Sequence, residues 1–381
     1  METIVRTSFI PPRFLEDLYA HEIGDTTMYS YKTLRDKIFS YFIFEFDYFS
    51  HYCNAGGRYR VEEIIVNDTV LQRKWASEIG MKESASEKEI FDEQLRVLKP
   101  AIIMDTNNFF MRNSAEEYKK KFGVKVIMAW DGYTGNRFDR QSKGVDLVLT
   151  CVDDIKNAYT ALGYRCDILP FAFDTRVFES LRHEISVKEN VCFSGTISDN
   201  VHQDRKELLM KMIRSDIPFE MYISNIGQGL HLVSRAQLRA LKDFRFKDYF
   251  DYITLQQHNL GGVYGRGMFK TLGSSRIQLN SHGDKIVQAG NMRLFEATGM
   301  GTLLLTDWKS NLSEIFTPDE EIVTYASAQE AIDKARYFLQ HPAEAEAIAK
   351  RGQARTMKEY SAEVRMNKFQ AFCDALLTNA M

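Results

Sequence analysis

The sequence predicts an α/β protein of two units, each built on a parallel, doubly wound sheet. Three observations lead there. Short, continuous apolar runs alternate with helix-period stretches, as strands buried on both faces do with their crossover helices. A charged stretch, SLRHEISVKEN at 180–190, interrupts the series and divides it in two. The 381 residues suffice for two or three domains at roughly 150 residues each.

In the first series, residues 4–10 form an opening strand closed by Pro11-Pro12. The run RVEEIIV at 60–66 is strand-like, and helical stretches follow at 70–79 and 87–98. Pro100 introduces AIIMD, a short buried strand ending at Asp105. A helix over 115–122 stops at Gly123. VKVIMAWD then runs to Asp131, and DLVLTC starts at Asp146. ILPFAFDTRVF, 168–178, reads as a compact connector, and the charged stretch after it as a linker.

VCFSG at 191–195 opens the second series. RIQLN at 276–280, TLLLT at 302–306 and IVTYA at 322–326 continue it as strands. NMRLFEATG, 291–299, is a helix ended by Gly299. Ser327 and Glu330 have capping-box spacing and open a helix that stops at His341-Pro342. The run from 343 to about 377 is long enough for two helices. The expected domains are 1–178, 188–360 and a closing helix, 361–381, packing back on the first. The segment 224–264, with KDFRFKDYFDY inside it, has two readings: a solvated helix with an apolar face, or a patch for a lipid or protein acceptor.

Composition excludes several classes. The formal charge is −3, so no basic face is available for a phosphate backbone and no nucleic-acid partner is expected. The five cysteines are odd in number and lack metal-ligand spacing, which argues against a zinc site or a disulfide framework. His51, His202, His231, His258 and His282 are not spaced as ligands either, so no metal is expected. The first twenty residues lack the basic-then-apolar plan of a signal peptide, and no apolar run approaches the ~20 residues of a membrane span. A cytoplasmic location follows, with peripheral membrane contact at most. Neither a nucleophile elbow nor a phosphate-loop lysine motif occurs, which sets aside hydrolases and kinases.

Ligands of parallel sheets bind beyond the carboxyl ends of the strands. Two such sheets facing across a cleft direct attention to SHGDKIVQAGNMRLFEATGMG at 281–301, which leaves one strand and enters a helix. Gly290 allows a close backbone turn. The N–H groups of Asn291 and Met292 would project from the helix N-terminus, where a diphosphate binds well. Glu296, about one turn inside, is placed to accept hydrogen bonds from ribose hydroxyls. The plain structural reading of Glu296 is a solvated helical carboxylate.

AGNMRLFEATGMGTLLLTDWKSNLSEIF (289–316) and GGVYGRGMFKTLGSSRIQLNSH (261–282) resemble the signature of the CgeB-like, spore-maturation type glycosyltransferases, relatives of the retaining group 1 class with the GT-B fold. LPFAFDTRVF resembles the interdomain turn of that class, and 337–360 its closing helices. The likeness is strongest over 261–360 and thinner over the first hundred residues. It implies two Rossmann-like domains, transfer of a sugar from a nucleoside diphosphate sugar to an acceptor hydroxyl, retention at the anomeric carbon, and a donor site in the C-terminal domain. Group 1 enzymes carry two glutamates with seven residues between them. The second, which holds the ribose, matches Glu296; the first falls on Gln288, a departure that bears on sugar preference. Gly290, Asn291 and Met292 match the loop facing donor sugar and phosphate.

The resemblance also implies basic partners for the departing diphosphate. Arg205 and Lys270 are the candidates, each with a solvated helical charge as its plain reading. Ser194 and Gly195 end a strand there and would approach the phosphates, or form only a tight turn. His282, in the LN-x-H element, would line the donor pocket or be fixed by a structural hydrogen bond. Asp131, ending a buried strand, is the candidate acceptor-side base, or a loop cap; Asp105 and Asn107 occupy a similar position. GT-B enzymes use helix dipoles and basic side chains in place of a divalent ion, so no cofactor is implied beyond the nucleotide-sugar co-substrate. The acceptor would be a glycan, a lipid-linked group or a protein. Three alternatives share the scaffold: a non-catalytic nucleotide-sugar-binding module, a sugar-nucleotide epimerase and a phosphorylase.

Overall fold

The computed structural model describes residues 1–43, 47–106, 115–132, 143–198, 201–226, 238, 242, 246–284 and 286–379. The chain divides into two compact units, Met1–Pro170 with Ala362–Met381, and Phe171–Ser361.

The first unit holds a six-stranded sheet. Its strands are β1 (Glu2–Ser8), β2 (Tyr59–Ile65), β3 (Ile102–Asp105), β4 (Val126–Trp130), β5 (Leu147–Thr150) and β6 (Cys166–Ile168). They pair in parallel, in the order β2-β1-β3-β4-β5-β6. β3 and β5 are buried along their whole length, which is why both read as unbroken apolar runs. Alternation then sorts side chains between two faces. Ile4, Ile102, Met104 and Met128 pack toward Phe49 and Phe369. Val5, Ile103 and Ile127 pack toward Phe91, Leu95 and Tyr118, from the Glu87–Leu98 and Ala115–Phe122 helices.

The Ala362–Asn379 helix belongs to this first unit although it closes the sequence. Ala362, Met366, Phe369, Cys373 and Leu376 recur at helical spacing and are buried on the sheet. Asp374 fixes the helix further, accepting from Tyr59 Oη at 2.5 Å and pairing with Arg58 at 2.7 Å.

The second unit holds β7 (Lys188–Gly195), β8 (Phe219–Ile223), β9 (Ser275–Asn280), β10 (Leu303–Asp307) and β11 (Val323–Tyr325), all parallel, in the order β11-β10-β9-β7-β8. Phe193, Leu279, Leu305 and Tyr325 face a core completed by Leu209 and Met212 of the Gln203–Ile213 helix and by Ile332 and Ala335 of the Ala328–Gln340 helix.

Several elements differ from the sequence expectation. The units divide at 170/171 and not at 178, because the connector folds into a helix, Thr175–Leu181, capped by Asp174, which accepts from the Arg176 N–H. The charged linker is short, since β7 already begins at Lys188. β6 and β8 went unread. β6 has three residues and β8 is a half-exposed edge strand, so neither shows a long apolar run. The capping box at Ser327 is half formed: Ser327 Oγ accepts from Glu330 N, while Glu330 accepts from Ala326 N. Within the segment 224–264, residues 227–237, 239–241 and 243–245 lie outside the described residues. Its last part is the Phe246–His258 helix, which buries Tyr252 and Leu255 and exposes Phe246 and Phe250.

Gly299 closes the Arg293–Gly299 helix at a point where an added Cβ would run into the Phe173 ring. Gly299→Ala is therefore expected to lower unfolding stability by about 1–3 kcal/mol through overpacking. Urea denaturation checks this, and an unchanged midpoint would show that the ring gives way freely.

Candidate functional site

Parallel pairing brings the carboxyl ends of β7, β9, β10 and β11 to one edge of the second sheet. Ser194 and Gly195 end β7, Asn280 ends β9 with Ser281 and His282 next, and Asp307 ends β10. A Cβ on Gly195 would meet the Phe193 ring at 3.1 Å, so the ring would have to give by a few tenths of an ångström to admit one.

Arg205 is not a solvated helical charge. It is buried, donates to Thr196 O at 2.7 Å and to Ser281 O, and lies 5.8 Å from the Phe193 ring. It ties the loop after β7 to the loop after β9. Burial lowers its pKa to about 10, against the raising influence of Asp307. Both bonded amino groups face carbonyls, and Nε has no partner among the described residues.

Glu296 is not a solvated carboxylate either. It is buried, and its Oε2 pairs with Arg293 Nη1 at 2.7 Å. Arg293 Nη2 also donates to Ser194 Oγ at 3.3 Å and Ser194 O at 3.4 Å. Its Nε lacks a partner among the described residues. Glu296, Arg293 and Ser194 thus form one linked group across the end of β7 and the first turn of the Arg293–Gly299 helix.

The loop before that helix is held by two amide pairs. Asn291 Nδ2 donates to Asn280 Oδ1 at 3.0 Å. Ala289 N donates to Asn311 Oδ1 at 2.7 Å, and Asn311 Nδ2 returns to Ala289 O at 2.8 Å. Gly290 is buried in this loop and Gln288 half-buried. Met292 accepts the first helical bonds, from Phe295 and Glu296. The helix begins at Arg293 and not at Asn291, and it has only seven residues. Few peptide dipoles are aligned, so the local positive charge comes chiefly from Arg293, which sequence reasoning missed. Its signal was present: Arg293 and Glu296 are three residues apart, one face of a helix.

His282 is buried with its backbone N and its Nδ1 both on Asp307 Oδ1, at 3.0 and 2.7 Å. Lys309 Nζ stands 3.2 Å from Asp307 Oδ2. Burial alone would raise the Asp307 carboxyl. The hydrogen bond and charge of His282, with Lys309 behind them, outweigh it and hold the group below the ordinary carboxylate range. His282 and Asp307 line a pocket of about 490 Å³, walled also by the Gln203–Ile213 helix and by Trp308.

The other candidates lie elsewhere. Lys270 is exposed, 3.2 Å from Glu184, which Arg266 also engages. It is not gathered with Arg293 and Glu296. Asp131 belongs to the first unit, half-buried beyond β4, accepting from Tyr159 Oη. The residues after it, 133–142, and Asn107 lie outside the described residues. Asp105 is buried and accepts from Thr7 Oγ1 at 2.9 Å. Among the described residues no cluster of His, Cys, Asp or Glu could hold a metal, and no helix is long and apolar enough to cross a membrane.

Residues 205–371 match the model of the family described as glycosyl transferase-like. Among solved structures, the chain is similar to a sucrose-phosphate synthase from Thermosynechococcus elongatus, with 11% identity, all of both chains covered and a TM-score of 0.59. It is also similar to a glycosyltransferase from Rickettsia africae, with 12% identity, 100% and 99% covered and a TM-score of 0.59. HepE of Anabaena, solved with UDP and glucose, aligns at 10% identity over 98% of this chain and 100% of its own, with a TM-score of 0.57. No curated protein matches. The fold is that of the GT-B glycosyltransferases. Within that fold, residues 205–371 form the part that matches the glycosyl transferase-like family.

Two predictions follow from the charges. Arg293→Met removes the guanidinium partner of a buried carboxylate and is expected to cost about 3 kcal/mol in urea unfolding; Arg293→Lys should recover part of it. Asp307 has a folded pKa below its unfolded value, so its contribution is present above the unfolded value, about 3.9, and is lost as pH falls through the folded one. The stability gap between wild type and Asp307→Asn, measured by urea midpoints, should be full at pH 6 and shrink below about pH 4.

Proposed function

We propose that this protein transfers a sugar from a nucleoside diphosphate sugar, with UDP as its nucleotide, to an acceptor hydroxyl with retention. The observation that carries the reading is the Ser194–Arg293–Glu296 group, whose Arg293 and Glu296 lie inside the matched region 205–371. A guanidinium held between a strand end and a buried carboxylate is oriented before a ligand arrives, and its planar fork suits a diphosphate. Negative charge develops on the diphosphate as the glycosidic bond breaks. A cation already in place stabilises that charge without reorganisation.

In this reading Glu296 has two tasks. One oxygen fixes Arg293, and the carboxylate accepts hydrogen bonds from the ribose. Asn291, locked to Asn280, keeps the Gly290–Met292 backbone in position for the donor sugar. Arg205 braces the loops after β7 and β9 and acts on the donor through them. Asp131, its carboxylate fixed by Tyr159, is assigned to the acceptor side. UDP is chosen because the structurally similar HepE was solved with UDP and with UDP-glucose. Retention rests on the resemblance to group 1 enzymes: with front-face departure the leaving phosphate serves as base, so no carboxylate pair is required.

A second reading is a binding module without turnover. It is favoured by Gln288 at the position where group 1 enzymes have their first glutamate.

Calorimetric titration with UDP and GDP, followed by nucleotide-release assays on a panel of UDP-, GDP-, dTDP- and ADP-sugars, tests both. Wild type should bind UDP. Glu296→Gln should weaken that binding by about 1.5 kcal/mol, near tenfold, through a lost charge-assisted bond. Equal UDP affinity in wild type and variant would remove Glu296 from the site. Binding without release from any sugar nucleotide would favour the module.

A further inference from the structure

The pocket of about 490 Å³ contains neither Arg293 nor Glu296 in its lining, and the donor reading leaves it unused. Its volume lies within the range of about 300–1,000 Å³ typical of small-molecule sites. It is open on the face of the second sheet that carries the Gln203–Ile213 and Ala328–Gln340 helices.

The lining specifies the kind of ligand. The Gln203–Ile213 helix supplies Asp204, Glu207 and Lys211, at helical spacing along one side. The loop after β10 supplies Trp308 and Lys309. Trp308 is 59% exposed, although its backbone N is fixed to Tyr325 O at 2.8 Å. An indole left open at the mouth of a polar pocket offers an apolar plane beside hydrogen-bonding groups.

The charges rule out a phosphate. Four lining carboxylates, Asp204, Glu207, Asp284 and Asp307, face two ammonium groups, Lys211 and Lys309. The ammoniums are already engaged: Lys211 with Glu207 at 2.8 Å, Lys309 with Asp307 at 3.2 Å. Like charge repels a diphosphate here, whereas a neutral ligand rich in hydroxyls finds both acceptors and donors.

His282 adds an independent observation. Nδ1 is engaged by the Asp307 carboxylate, which leaves Nε2 as the ring nitrogen open to another partner. Nε2 is buried and has no partner among the described residues. A buried ring nitrogen without a partner is costly, and a ligand hydroxyl, which can donate or accept, would relieve it.

We propose that this pocket is a saccharide-binding site, separate from the nucleotide site, in which a sugar ring stacks on Trp308 while its hydroxyls bond Glu207, Lys309 and His282 Nε2. A ring of alternating C–H and O–H groups matches an indole plane flanked by carboxylate and ammonium. The site would hold a glycan on this domain during transfer, yet its occupancy does not depend on turnover or on nucleotide.

Saturation-transfer-difference NMR on the full chain tests it, with maltotriose, cellotriose, tri-N-acetylchitotriose and UDP as separate probes. At least one trisaccharide should receive saturation on its ring protons. Its dissociation constant should rise about fivefold to tenfold in Trp308→Ala and in Glu207→Gln. UDP transfer should be the same in wild type and both variants. Because Trp308 is largely exposed, Trp308→Ala should keep the wild-type thermal midpoint. No transfer to any of the three trisaccharides, or unchanged affinity in both variants, overturns the proposal. Loss of UDP binding alone would overturn the donor reading and leave the saccharide site standing.

Discussion

The constraint on which the rest depends is parallel pairing. Every strand in the second sheet runs the same way, so every strand's carboxyl end, with its loop, comes to a single edge. Strands paired this way are buried on both faces, and several polar residues gather at their carboxyl ends, where they bond one another. Ser194, Asn280 and Asp307 are each at or next to the last position of a strand. This arrangement brings to one edge residues more than a hundred positions apart, such as Ser194 and Asp307.

Two kinds of polar group form at that edge, and they differ in what they can bind. On one side Arg293 is held between Ser194 and Glu296, a cation with its direction set by a buried acid. On the other, His282 and Lys309 converge on Asp307 beside an acidic wall and an open indole. Burial makes both consequential. A charge in low dielectric has to be paired, and a paired charge keeps its geometry. Arg205, buried between carbonyls of the loops after β7 and β9, keeps those two loops in register. The first would be suited to an anion, the second to a neutral polyol.

Much of this was legible in the sequence. Continuous runs such as IIMD and LLLT declared the buried strands, and β3 and β10 lie where they were expected. Glu87–Leu98 and Ala115–Phe122 were read to the residue, the second because Gly123 marks its end locally. The stretch 281–301 was read as the candidate donor loop, and it contributes Asn291 and Glu296 to the linked polar groups at the strand ends. β6 and β8 were missed because short or half-exposed edge strands carry no periodic signal. Arg293 was passed over although it stood three residues from Glu296, since an ion pair on a helix surface is usually a solvated one.

By itself, then, the sequence determined the strand and helix periods, the division into two α/β units and the candidate carboxylate at 296. These follow from local patterns, which are written in neighbouring residues. Only the tertiary structure decided which charges meet: that Arg205 braces two loops, that Lys270 answers Glu184, that Arg293 joins Ser194 to Glu296, and that Asp307 holds His282. Such pairings join residues distant in sequence through the order of strands, and no spacing along the chain encodes them.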